Sequence, residues 1–576
     1  MNKVWLTVFS FVLFGAWIGT IFNVRPVFLN TMSNDPLAMI HALFPYFWFI
    51  LSGYFILCVI LFLSGEKTKS FVYILVLVQL SLVLYFTPFA LSGISWNPDS
   101  PWLSAISKYM PDILSEKQLV FSTYPQTYPS SFVFADCIMQ VTGIDVFTFA
   151  RFYPVFSIIA LTLLGYVFAS KFLEKRIAFF SMLLVLAGWH YVDFHASPHM
   201  AGLLLLVTIM VLATRTERKS MAIIFLLVPA LILSHPISPI NLGIFLLFIF
   251  LGMVIIRMLF RIRSADRAIF QPLLGLRKRA PLLLLVVAIG WIYWMLFWVL
   301  PNDKSIQYAL NRVLSLNLTF LTKVSQFSVG GGSFIYPQIF RVEEITYLSY
   351  VAVAGILILQ TLIAALRRRG KLSQNNRLVG KSVLLFPAFA YIAFSYSLLL
   401  GTGDHHLLYR GLIPFILLIS IYVASCSFVE GKISKIGAIL LSLWLLFLLL
   451  VFPIVSYNIA AYTSIPTSEG VAIKFIAEKV NLAGKTTSIG SPQQMTAYAD
   501  PHIQFENVGI PEPSVLSRTR IDVIALRETS YYVTSMRYDL SFENNSFVQL
   551  TRELEGDVRY DKIYSSPTTE TYLLNP

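Results

Sequence analysis

The sequence predicts a polytopic α-helical membrane protein of about thirteen transmembrane helices, followed by a small C-terminal extracytoplasmic α/β domain. Three observations predict it. Hydrophobic residues make up 57% of the chain and charged residues 13%, with a mean hydropathy of +0.72, more apolar side chain than a soluble core of this size can hide. Apolar stretches of about twenty residues, enough to cross ~30 Å of hydrocarbon, recur as far as Tyr457 and then stop. The turns between them alternate between basic and nearly base-free.

In chain order, Val4 to Phe22 is a first helix, retained because no small-residue cleavage site follows it. Leu37 to Leu63 and Phe71 to Leu91 follow. The loop 93–128 mixes aromatics, prolines and acids and suits short helices at the interface. Ser130 to Thr142 is short and holds Asp136; a crossing here would invert everything after it, so it is expected to lie on the surface as an interfacial helix. Five helices are packed between Arg151 and Arg257, and another runs from Leu282 to Leu300. A second long loop, 301–345, carries the glycine run Gly330 to Gly332 and suits a lid. The last four helices are Ile345 to Leu366, Val383 to Leu400, Leu412 to Phe428 and Ile436 to Pro453.

The chain thus divides into an N-terminal helix pair (1–70), a membrane module (71–460) and a tail (461–576). In the tail, Ser468 is placed to cap a helix through Val480, and TTSIG, IDVIAL, YYVTSM and DKIYSS read as strands.

Orientation follows from lysine and arginine, which are retained on the cytoplasmic side of short loops. The clusters are Lys67/Lys69, Lys171/Lys175/Arg176, Arg215/Arg218/Lys219, Arg257 to Arg279, Arg367 to Lys381 and Lys432/Lys435. This puts the N-terminus in the cytoplasm and the tail outside. The net charge is +13, and the tail from Tyr462 carries ten Lys/Arg against fourteen Asp/Glu, so the positive excess belongs to the membrane part. It serves topology and contact with anionic lipid, and nucleic acid is not an expected partner.

All eight histidines fall on the side predicted to face outward, although they played no part in assigning it. Ionisable groups at helix ends in a membrane usually face polar cavities, so that mouth is the expected site. His195 and His199 share a turn with Asp193, His235 ends a helix, and GTGDHHLLYRGL places Asp404, His405, His406 and Arg410 where a helix re-enters the membrane. Arginine can clamp a phosphate through paired N–H donors; anchoring to lipid headgroups is the plain alternative. Asp99, in WNPDSPW, is placed to act as a general base or to cap the helix after it. Tyr128, closing the aromatic loop, joins the substrate-binding candidates. Asp193, His195 and His199 have loose spacing for a metal and no second carboxylate nearby. No metal ligand is assigned, and a divalent metal is left open.

Asp99, the stretch YPQTYPSSFVFADCIMQVTGIDVFTFARFYPVFS and the basic turn SKFLEKR together resemble the first outer loop and following helix of the GT-C superfamily of membrane glycosyltransferases. The resemblance implies transfer of a sugar from a polyprenyl-phosphate carrier to an extracytoplasmic protein, glycan or lipid, with inversion. It implies Asp99 as base, and Arg410 with His405 or His406 at the departing phosphate. The alternative is a multi-pass transporter or flippase of lipid-linked or small solutes, for which charged residues at mid-membrane would be expected.

Overall fold

The computed structural model describes residues 3–31, 38–64, 68–91, 99–108, 110–111, 124–189, 196–215, 217–259, 271–302, 345–356, 359, 382–402, 405–426, 428–429, 432–433, 435–457, 474–476, 479–480, 486–489, 506–507, 523–527, 554–555, 560–565 and 569–574. Within them the membrane part is almost entirely helical. The helices are α1 (Lys3–Thr31), α2 (Ala38–Leu43), α3 (Tyr46–Leu63), α4 (Ser70–Tyr85), α5 (Thr87–Leu91), α6 (Asp99–Ser107), α7 (Tyr124–Thr127) and α8 (Pro129–Thr142). They continue with α9 (Val146–Ala169), α10 (Lys175–Gly188), α11 (Pro198–Ala213), α12 (Arg218–Ile232), α13 (Ile237–Leu259) and α14 (Gln271–Trp294), which runs into a π-helical turn at Met295–Val299. The last are α15 (Ile345–Ile356), α16 (Leu385–Thr402), α17 (His405–Cys426) and α18 (Lys435–Ser456).

Six helices among the described residues are long and apolar enough to cross a membrane, and five more apolar helices are 10 to 17 residues long. Among the described residues, full-length spans are thus fewer than the expected count of about thirteen. Prolines account for part of the difference. The expected Leu37–Leu63 helix is broken at Phe44-Pro45 into α2 and α3, and Phe71–Leu91 breaks at Phe86, just before Thr87-Pro88, into α4 and α5. Proline lacks the N–H that would continue the helix and suits a helix's first turn. The first helix, in contrast, runs past Phe22 to Thr31 with Pro26 inside it.

Large apolar side chains stand exposed around the bundle, Phe22 at 75%, Leu226 at 76% and Phe49 at 72% among them. A surface of that kind is stable in lipid and aggregates in water. Inside, tyrosines tie one helix to another through backbone carbonyls in the last turns of their neighbours. Tyr85 donates to Leu186 O (2.6 Å) and Trp189 O (3.0 Å), Tyr350 to Leu184 O (2.6 Å), and Tyr457 to Leu84 O (2.7 Å).

The helices alternate in direction, so two ends of the bundle can be told apart. His199 and His235 belong to one. Arg215 and Arg279 belong to the other, where Arg279 donates to Glu217 O at 2.8 Å. The helix expected over Ser130–Thr142 is α8, and it lies across the histidine end: Ser130 N–H donates to Leu233 O (3.2 Å) and its hydroxyl to Ala230 O (2.9 Å). Asp145 caps α9, its carboxylate accepting from Phe147 N, Thr148 N and the Thr148 hydroxyl. These bonds outweigh the partial desolvation of the carboxyl and hold it below its ordinary range.

Between α17 and α18, β1 (Phe428–Val429) pairs antiparallel with β2 (Lys432–Ile433). In the tail, β3 (Thr486–Ile489), β4 (Glu506–Asn507), β5 (Val523–Arg527), β6 (Tyr560–Ser565) and β7 (Thr569–Leu574) form one sheet in the order β4-β3-β5-β7-β6, with β3 parallel to both β4 and β5 and the rest antiparallel. Three of the expected strands are β3, β5 and β6. The expected strand YYVTSM, most of the Ser468–Val480 helix, the glycine run and almost all of loop 301–345 lie outside the described residues.

Candidate functional site

Four helices meet at the histidine end around one guanidinium. Arg410 enters from the second turn of α17, His235 from the turn between α12 and α13, His199 from the first turn of α11, and Asn241 from the first turns of α13. Arg410 Nη1 lies 2.7 Å from His235 Nε2, and the His199 and His235 rings are 4.9 Å apart and tilted. Both imidazoles are buried, at 3% and 2% exposure, as is Asn241 at 1%. Asn241 Nδ2 donates to the backbone carbonyl of Arg410 (3.2 Å), and the Tyr391 hydroxyl on α16 donates to the carbonyl of Asn241 (2.6 Å). Side chain and backbone of Arg410 are therefore both held by neighbouring helices.

The local sequence makes this convergence possible. Ser197 caps α11 ahead of Pro198, its hydroxyl accepting from Met200 N at 3.3 Å, which sets His199 on the first turn. In SHPISP the proline after His235 ends one helix, and the next begins at Ile237. Two glycines permit the close approach. A Cβ on Gly202 would collide with Ser238 Oγ and come within 2.9 Å of Ser234 Oγ, and one on Gly411 would collide with Ser395 Oγ. Hence α11 can lie against the start of α13, and α17 against α16, at backbone distance.

The chemistry of the pair follows from its donors. A guanidinium has N–H donors only, so His235 Nε2 must accept from Arg410. Ile237 N–H also approaches His235, reaching Nδ1 at 3.2 Å. A neutral imidazole offers one lone pair, and the shorter contact to a full charge claims it. Protonating Nε2 would set N–H against N–H and break the contact with Arg410. Burial chiefly, then the Arg410 charge and then His199, holds His235 well below the usual histidine value, and the ring is neutral at pH 7. A neutral partner orients the guanidinium without cancelling its charge. That is the arrangement required to meet an incoming anion.

The same donors argue against a divalent cation between these two histidines, because Arg410 sets a full positive charge against His235. Among the described residues no group of three or more His, Cys, Asp or Glu comes together.

Asp99 is the first residue of α6, and its side chain is outside the described residues. One turn on, Leu103, Ser104 and Ser107 form one wall of a small cavity whose other walls are Ser131, Phe132 and Ala135 of α8, Phe149 and Tyr153 of α9, and Ala196, Ser197 and Pro198 leading into α11. Its free volume is about 20 Å³, room for one water molecule, and the buried hydroxyls of Ser104 and Ser131 have no hydrogen-bond partner among the described residues. The helix that begins at Asp99 therefore shares a wall with the N-terminus of the helix that carries His199.

The sequence candidates divide accordingly. His199, His235 and Arg410 come together. Tyr128 is fully buried against Met295 and Val299, its hydroxyl 3.7 Å from Met295 Sδ, where it packs α8 onto the end of α14. His405 and His406 begin α17, with side chains outside the described residues, and His195 and Asp404 lie outside them altogether. Asn241 and Tyr391 were not anticipated. Asn241 had a signal, an amide in the otherwise apolar run ISPINLGIF; Tyr391 had none among 28 tyrosines.

No protein-family model and no curated protein sequence matches the chain. Among solved structures, it is similar to the oligosaccharyltransferase of Archaeoglobus fulgidus tethered to an acceptor peptide containing the NVT sequon, at 12% identity and a TM-score of 0.48, over 89% of this chain and 74% of that one. The same archaeal enzyme in complex with an inhibitory peptide and a dolichol-phosphate matches at 12% identity and 0.48, over 88% and 74%. ArnT from Cupriavidus metallidurans bound to undecaprenyl phosphate matches at 11% identity and 0.45, over 87% and 97%.

Proposed function

We propose that this chain is a membrane glycosyltransferase that moves a sugar from a polyprenyl-phosphate carrier to an extracytoplasmic acceptor. The observation that carries the reading is a guanidinium on the second turn of α17, oriented at 2.7 Å by a buried neutral histidine that does not neutralise it, a group suited to a phosphate. An acceptor hydroxyl or amide attacks the anomeric carbon, and Asp99 takes its proton. The bond from that carbon to the phosphate oxygen breaks, the phosphate keeps the electron pair, and Arg410 stabilises the developing negative charge. Attack opposite the leaving group inverts the anomeric centre. His235 is a positioning residue that acts through Arg410. The wall shared by α6 and the start of α11 supports a base and a phosphate-binding group facing one chamber.

The test is to incubate the purified chain, in lipid, with radiolabelled polyprenyl-phosphate sugars and a panel of protein, glycan and lipid acceptors. Wild type transfers label, Asp99→Asn loses transfer by at least ~100-fold, and the product has the opposite anomeric configuration. Transfer indifferent to Asp99→Asn overturns the base. Movement of solute across sealed vesicles with no transfer overturns the enzyme.

A further inference from the structure

We infer, resting on the sugar-transfer reading above, that the cavity between α6 and α8 is a subsite for one neutral hydroxyl group of the reacting substrates, held by Ser104 and Ser131. Four segments wall it: α6 with Ser104 and Ser107, α8 with Ser131, α9 with Phe149 and Tyr153, and the lead into α11 with Ser197. Ser107 donates to Leu103 O at 3.1 Å and Ser197 accepts from Met200 N at 3.3 Å, so both are engaged by their own segments. Ser104 and Ser131 are not. Each hydroxyl oxygen is buried and has no hydrogen-bond partner among the described residues, and Ser104 is 1% exposed. A buried hydroxyl left without a partner is costly, and two of them on two walls of one space call for a shared ligand.

The chemistry of the walls selects that ligand. A hydroxyl carries one donor and two lone pairs, so one incoming hydroxyl can give its proton to one serine and accept from the other. Among the described residues the lining contains no Asp, Glu, Lys, Arg or His. A carboxylate or an ammonium would enter without a counter-charge, at the desolvation cost of an unpaired ion. The free volume of about 20 Å³ holds one water molecule or the hydroxyl that displaces it. The stacked rings of Phe149 and Tyr153, 5.0 Å apart, supply the apolar wall common to small-ligand sites. Ser131 and Tyr153 are only partly buried, so the cavity is not sealed. Ser104 comes five residues after Asp99 on α6, about 7.5 Å along the axis, which puts the hydroxyl on the sugar or the acceptor rather than on the lipid tail of the carrier.

The experiment measures binding and transfer separately, in nanodiscs, for wild type and the double variant Ser104→Ala with Ser131→Ala, using polyprenyl-phosphate sugars, acceptors and their monodeoxy analogues. Binding is read from the shift in thermal unfolding, and transfer as kcat/KM for radiolabelled product. In wild type, removing one particular hydroxyl weakens binding by about 10- to 100-fold, the worth of two hydrogen bonds. In the double variant the same removal changes binding by less than ~2-fold. Without substrate the double variant unfolds no earlier than wild type, because the hydroxyls it loses are unpaired. Dependence on a donor hydroxyl assigns the group to the sugar, and dependence on an acceptor hydroxyl assigns it to the acceptor. Hydroxyl-dependent binding without transfer supports the subsite and overturns the enzyme. Transfer with no deoxy penalty in wild type, or with the same penalty in both proteins, overturns the subsite and leaves the enzyme standing. Earlier unfolding of the double variant, with every substrate bound as in wild type, means that the serines hold a structural water only and overturns the subsite. Absence of both binding and transfer overturns both.

Discussion

The contact between His235 and Arg410 is the joint on which the site turns, and it can be weighed by removing each partner in turn. The bond is short (2.7 Å), its acceptor is 2% exposed and its donor carries a full charge. Hydrogen bonds to charged groups contribute about 1.5–3 kcal/mol, more than a neutral pair. A double-mutant cycle of His235→Ala, Arg410→Met and the two together should therefore give a coupling energy of about 1.5–3 kcal/mol. Each single change leaves a buried group without its partner and costs stability beyond the coupling itself. The assay is SDS-titrated unfolding in mixed micelles, followed by tryptophan fluorescence, with Asn241→Ala as a neighbour that holds the arginine backbone rather than its charge. Additivity within about 0.5 kcal/mol would refute the argument, because it would mean the two side chains do not sense each other.

Two further outcomes follow from the same geometry. His235 has its folded pKa depressed by burial and by Arg410, so its contribution to stability is complete above the unfolded histidine value of about 6.5 and is lost as pH falls through the depressed folded value. Over that window stability should drop by about 1.4 kcal/mol per pH unit. Unfolding of wild type and His235→Gln at pH 7.5 and 5.5 measures the difference, and equal slopes would contradict it. Gly411→Ala pushes a methyl into Ser395 Oγ and should destabilise by about 1–3 kcal/mol, with Ser395→Ala restoring part of it; thermal unfolding reads both.

How much of this was legible in the sequence depends on what each residue's signal reports. Membrane class and helix order were legible because apolar length is a direct physical requirement of the bilayer. Helix integrity was less so. Pro45 and Pro88 interrupt runs whose hydropathy is unbroken, so a window average passes over a break that the missing N–H enforces. His235 and Arg410 were legible singly, because ionisable groups at helix ends are costly there. Their bond was not, since it joins residues 175 positions apart and depends on Gly202 and Gly411 letting four helices close up. Tyr128 was legible as an aromatic closing the first outer loop, but its packing was not, since its ring is buried under the end of α14, far away in sequence. In the tail, β3, β5 and β6 announced themselves by β-branched and aromatic runs, whereas TETYLL became β7 through pairing with both β5 and β6, which a local reading does not contain.

Arg410 is the group proposed to meet a lipid-linked phosphate. The direct measurement is the affinity of the purified chain, in neutral nanodiscs, for a short-chain polyprenyl phosphate, compared between wild type and Arg410→Gln. The expected result is a loss of about 10- to 100-fold in Arg410→Gln, as for one charge-assisted contact. Equal affinities for wild type and Arg410→Gln would contradict it.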